Sequence, residues 1–136
     1  MAIYYYVKQR IDPTKRDQAP KWYAQAKVIG TAKEKEIAER IATTCTVKYA
    51  DIVAVLTALE DEIVFALQSG NTVAIPQLGA WSAKLHSLGS ETPEKFDLSY
   101  IKGCRVRFRP AREMEFDLKN PGVQLERRNF SYETSI

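Results

Sequence analysis

The chain has 136 residues, 45% of them hydrophobic, and a net charge of +3. That length suits one domain with appendages, and a small module with this apolar share completes its core most easily against a partner. The overall charge is too small to name a ligand, and no segment approaches the ~20 apolar residues of a membrane span, so no membrane partner is expected.

The distribution of charge says more than its sum. Residues 1–50 carry ten Lys/Arg against five acids. Residues 51–83 carry four acids and no Lys or Arg, and residues 84–112 carry seven basic residues against three acidic ones. Such local positive charge is what a nucleic-acid footprint requires, although a basic surface also simply keeps a protein soluble. Cys45 and Cys104 are too few for a disulfide framework and are expected to be small buried hydrophobes. The opening Met1-Ala2-Ile3-Tyr4 lacks the basic stretch and apolar run of a secretion signal, which points to a reducing cytoplasm.

Residues 2–11 are β-branched and aromatic and read as a strand. A polar loop with Pro13 and Pro20 leads to a second strand, Lys21 to Ile29. There Trp22, Ala24, Ala26 and Val28 alternate with Tyr23, Gln25 and Lys27, so one face is drier. Thr31 and Glu34 have the spacing of a capping box. The helix it opens carries Ile37, Ala38, Ile41, Ala42 and Cys45 as its apolar stripe. Thr46 is placed to cap a longer helix reaching about Ser69. Ile52, Leu56, Leu59, Ile63 and Leu67 make one stripe of that helix, and Val53, Val55, Val64 and Phe65 widen it. So broad an apolar surface must be covered on more than one side, which suggests packing across a dimer. Gly70 is the expected left-handed terminator. Strands from Thr72 to Ile75 and from Ala80 to Leu88 follow. Gly89 to Lys95 is a turn, and a returning strand runs from Phe96 to Phe108 with a bulge at Gly103. Arg112 to Leu118 is a short helix ended by Asn120-Pro121-Gly122, and the remaining tail is expected to be loosely ordered.

Three segments carry a resemblance. Ala66-Leu67-Gln68-Ser69-Gly70-Asn71-Thr72-Val73 forms a helix end and turn into a strand. Leu78-Gly79-Ala80-Trp81 is a glycine–aromatic step, and Phe108-Arg109-Pro110-Ala111-Arg112 is a basic strand end. Their order and spacing resemble the HU and integration-host-factor family of bacterial DNA-bending proteins. The added strands at residues 1–30 are similar to an extension in a Bacteroides-type HU-like subgroup. The chain departs from the family pattern at Pro76 and Gln77, and at the arm tip, where Glu91 and Glu94 flank Pro93.

The resemblance implies an α+β, HU/IHF-like fold: a helical base with a three-stranded sheet and a long β-arm, plus an N-terminal β-hairpin. The segments would be a hairpin at 1–30, the HU-like domain at 31–118 and a polar tail at 119–136. It further implies a cytoplasmic, nucleoid-associated homodimer that binds duplex DNA through the minor groove and the phosphates, bending or compacting it with little sequence preference. Lys84, His86, Lys95, Lys102, Arg105, Arg107, Arg109 and Arg112 are the expected DNA contacts. Pro93 is the candidate wedge, and Lys33 and Lys35 are secondary contacts. Arg105, Arg107 and Arg109 alternate and so share one strand face. Their simpler reading is an edge kept soluble by charge. Lys8, Arg10, Lys15, Arg16 and Lys21 form an N-terminal cluster that is either a solvated hairpin or a second contact surface. Trp22 and Trp81 are expected in a core or interface. One histidine, with no metal-spaced Cys/His/acid set and no Gly-rich phosphate loop, leaves no catalytic residue, metal, cofactor or small-molecule substrate to assign. The rival expectation is a protein–protein assembly module on the same fold with weak or no DNA binding.

Overall fold

The computed structural model describes residues 2–119 and 123–128. In chain order the elements are β1 (Ala2–Arg10), β2 (Lys21–Ala26), α1 (Glu34–Thr44), α2 (Tyr49–Gln68), β3 (Val73–Ile75), β4 (Gly79–Ser87), β5 (Ile101–Pro110), α3 (Arg112–Lys119) and β6 (Gln124–Arg127). They divide into two compact units. One is Lys33–Phe116; the other joins the two ends of the chain, Met1–Ala32 with Asp117–Ile136.

In the Lys33–Phe116 unit, α1 packs on α2, and α2 touches β3 and β4. Helix α1 begins later than a Thr31 cap requires. Glu34 would have to be its third residue, but it is the first, and Lys33 occupies the cap position with no side-chain hydrogen bond. Glu34 and Glu36 in the first turn favour that terminus through the helix dipole instead. Helix α2 likewise starts behind Lys48, not Thr46, again without a side-chain cap. Its far end follows glycine chemistry closely. Gly70 has φ 81°, Gly70 N–H donates to the Leu67 carbonyl (3.1 Å), and Asn71 N–H donates to the Ala66 carbonyl (3.0 Å). This pair of bonds is the Schellman closure, and it turns the chain into β3.

The sheet of this unit has the order β3-β4-β5 with antiparallel neighbours. Gly79 opens β4 with φ 147°, and a Cβ there would collide with the Arg109 carbonyl oxygen and press on the Phe108 ring. The two strands can meet this closely only at glycine. From Gly79 the pairing runs outward to His86 opposite Gly103, then shifts to Ser87 opposite Ile101. The extra residue is Lys102, beside the glycine that the sequence marks.

The tip differs from a simple turn. Residues Pro93–Lys95 and Leu98–Tyr100 each form a 3-10 turn, so β5 starts at Ile101, not Phe96. Asp97 causes part of this, because its carboxylate accepts from the Leu98 amide (2.6 Å) and bends the chain. The rings of Phe96 and Tyr100 stack at 5.5 Å inside the tip.

In the unit built from the chain ends, β1 pairs antiparallel with β2 and parallel with β6, giving the order β2-β1-β6. Strand β2 ends at Ala26 rather than Ile29, and Val28 and Ile29 are exposed. Residues 124–127, expected as loose tail, are strand β6 because Ala2–Tyr5 offers them a free edge. The expected Asn120-Pro121-Gly122 turn and the tail beyond residue 128 lie outside the described residues.

Candidate nucleic-acid interface

The register of β4 and β5 sorts their side chains onto two faces. Directly opposed residues share a face. One face holds the pairs Ala80/Arg109, Ser82/Arg107 and Lys84/Arg105, followed by His86 opposite Gly103. The other holds Trp81/Phe108, Ala83/Val106 and Leu85/Cys104. The alternation that the sequence shows in β5 is thus doubled by β4. Arg107 and Arg109 rise from a floor of Ser82 and Ala80, small side chains that leave the backbone open to close approach. The backbone positions that carry successive arginines along β5 are about 6.6 Å apart.

The electrostatics of this face are unusual for a self-contained protein. Lys84 and Arg105 stand directly opposite each other, and like charges in that position destabilise a sheet. Among the described residues, Lys84, Arg105, Arg107 and Arg109 form no ion pair. At the arm base, Arg109 and Arg112 line a hollow of about 460 Å³ that also borders Ala74, Ala80 and Glu115. Arg112 is the first residue of α3, and Glu113 and Glu115 follow it in the first turn.

The other expected contacts are placed less favourably. Lys95 lies in the tip, 3.0 Å from the Glu91 carboxylate. Lys102 is the bulge residue, and its ammonium donates to the Ser99 carbonyl (3.0 Å). Lys33 precedes α1, and Lys35 lies 4.0 Å from Glu39 one turn along. Pro93 opens the first tip turn with Glu94 beside it. Leu98, in the second tip turn, is 79% exposed. Sequence reading passed over it, although a lone leucine between Asp97 and Ser99, out of phase with any stripe, was the available signal.

Two expectations of burial are corrected. Cys45 and Cys104 are both exposed: Cys45 caps the end of α1, and Cys104 faces Leu85 on the open arm. Trp22 is 61% exposed, which removes it from a core within this chain and leaves the expected interface place, whereas Trp81 is half-buried with its ring 4.9 Å from Phe108. Among the described residues no group of His, Cys, Asp and Glu is arranged to hold a metal. Nor is any described helix long and apolar enough to cross a membrane.

Two packed helices beside the β3-β4-β5 sheet make a mixed α+β unit similar to HU-like folds, and the comparisons agree. The profile of the family described as an HU domain fused to a winged helix-turn-helix, Ig or glycine-rich motif matches residues 1–127. The chain belongs to that family. It is similar to a candidate DNA-binding protein of Bacteroides vulgatus at 13% identity and TM-score 0.68, over 96% of this chain and 50% of that one. The chain thus spans about half the length of that relative. It is also similar to HU from an Anabaena HU–DNA cocrystal at 18% identity and TM-score 0.51, over 66% of this chain and all of that one. No curated protein sequence matches the chain.

Proposed function

We propose that the chain is an architectural protein of the nucleoid that binds duplex DNA as a homodimer and bends or compacts it with little sequence preference. The observation that carries this reading is the row Lys84, Arg105, Arg107 and Arg109, cationic on one face and without acidic partners among the described residues. Phosphates supply the missing counter-charge, and contacts to phosphate hold a protein in place without reading sequence. His86, Lys95, Lys102 and Arg112 extend the footprint along the arm, with Lys33 and Lys35 as secondary contacts.

Dimerisation is supported by what the single chain leaves open. Among the described residues only Ala38 and Ile52 are buried hydrophobics. Phe65 is 67% exposed and Val55 63% on the apolar surface of α2. A second copy covers that surface and brings two arms to one duplex. For the wedge at the arm tip, exposed Leu98 suits the role better than Pro93. Glu91 and Glu94 flank Pro93 and repel phosphate, and leucine is among the side chains that unstack minor-groove steps.

The test is anisotropy of labelled duplexes of several sequences, titrated at increasing salt. Log affinity should fall linearly with log salt and vary little between sequences. Affinity no better than that of an unrelated protein of equal charge would remove the DNA reading.

A further inference from the structure

The sheet β2-β1-β6 carries a second concentration of positive charge, on elements other than those of the arm and interleaved with aromatic rings. Its register places Tyr4, Tyr6, Lys8 and Arg10 of β1 on one face. On β2, Tyr23 stands opposite Lys8 and Lys21 opposite Arg10. On the other side, Arg128 follows β6 with its guanidinium carbon 3.8 Å from the centre of the Tyr4 ring. The opposite face is mainly apolar, with Ile3, Val7, Trp22 and Leu125, and also carries Arg127 opposite Tyr5. On the basic face Glu126 stands opposite Tyr4, an acid outnumbered there by Lys8, Arg10, Lys21 and Arg128.

Several details point to a polyanion with flat, stackable groups. Arg10 and Lys21 oppose each other, a like-charge pair with the same stability cost as Lys84 and Arg105. Neither forms an ion pair among the described residues. The same two side chains, with Lys15 and Tyr23, line a small hollow of about 100 Å³. The one carboxylate there, Asp12, is engaged: its Oδ1 accepts from the Thr14 hydroxyl (2.6 Å) and amide (2.9 Å). Tyr23 is 47% exposed. Arg128 sits over the Tyr4 ring, and its planar guanidinium is of the kind on which bases stack. Duplex DNA offers phosphates but keeps its base faces covered. A single strand offers both, and sheets that alternate aromatic and basic side chains bind single strands by stacking and charge together.

We propose that this face is a single-stranded nucleic-acid site, with bases on Tyr23 and on the Tyr4–Arg128 stack and phosphates on Lys8, Arg10 and Lys21. It works independently of the arm, so its success or failure is separable from that of duplex binding.

The test uses the full chain and labelled oligothymidylate and oligouridylate of about 16 nucleotides, near the upper site size of a known single-strand-binding fold. Three variants are compared with the parent: Tyr23→Ala, Tyr23→Phe, and the arm triple Arg105→Ala/Arg107→Ala/Arg109→Ala. The arm triple should keep its single-strand affinity. Tyr23→Ala should bind about tenfold more weakly, the loss of one stacked base, and Tyr23→Phe should keep the parent affinity. Preference for one probe identifies the natural strand as DNA or RNA, and equal binding leaves a site for both. The proposal is overturned if neither probe binds, if the arm triple abolishes single-strand binding, or if Tyr23→Ala binds like the parent. It is also overturned if Tyr23→Phe is as weak as Tyr23→Ala while both keep the parent's circular dichroism.

Discussion

Replacing Arg105, Arg107 and Arg109 by alanine should change the salt dependence of duplex binding more than any other surface change. The three side chains share one exposed face with Lys84, so the proposed dimer presents eight cations from this face. Each neutralised phosphate contributes ~0.9 to the slope of log affinity against log salt, so this face contributes about −7 to the parent's slope. With only the two Lys84 side chains left on it, its contribution should fall to about −2. Between about 50 and 200 mM salt the contribution of this face to the loss of affinity should fall from ~10⁴-fold in the parent to ~10-fold in the variant. Anisotropy titrations on one duplex at four or five salt concentrations measure both slopes. Sedimentation of the variant should show the parent's oligomeric state, because none of the three side chains lies on the apolar arm face. A variant slope equal to the parent's would refute the ridge as the footprint, and the phosphate contacts would then have to lie elsewhere.

Phe65→Asp should split the proposed dimer. It removes a burial worth about 2 kcal/mol per copy and puts a carboxylate in its place, so sedimentation at micromolar concentration should show monomer. Gly79→Ala should lower the thermal midpoint. The methyl meets the Arg109 carbonyl at a φ that L residues rarely adopt, a strain of about 1–3 kcal/mol; an unchanged melting curve would refute that contact. Leu98→Ser should reduce the bend seen by end-to-end energy transfer on a labelled duplex while keeping the salt slope, whereas Pro93→Ala should change neither. Thr14→Val should raise the titration midpoint of Asp12, followed by carboxyl NMR. The Thr14 hydroxyl and amide hold that carboxyl below its ordinary range. The folded midpoint lies below the unfolded one, so whatever stability these bonds add is present above the unfolded midpoint and is lost as pH falls through the folded one.

What could be read in advance followed the range over which each signal acts. The end of α2 was legible because Gly70 and Asn71 need only their own helix to close it. The basic face of the arm was legible because alternation at Arg105, Arg107 and Arg109 maps directly onto a strand. Lys84 joined that face through its place in the register, which depends on Gly79 setting where β4 meets β5. The helix starts were misread because Thr31 and Thr46 have cap chemistry, yet Lys33 and Lys48 occupy the cap positions without a side-chain hydrogen bond. Strand β6 was invisible because Gln124–Arg127 has no strand signal of its own and is recruited by the free edge of β1, more than a hundred residues away in the chain. The basic cluster at Lys8, Arg10 and Lys21 was visible, but its union with Tyr4, Tyr23 and Arg128 on one face required that same pairing.

The most direct test of DNA binding by the arm is amide chemical-shift mapping of the labelled protein as a short duplex is added. Shifts should concentrate at Ala80–Lys84 and Arg105–Arg109 and disappear when salt is raised. Shifts absent from both strands, or confined to β1 and β2, would contradict it.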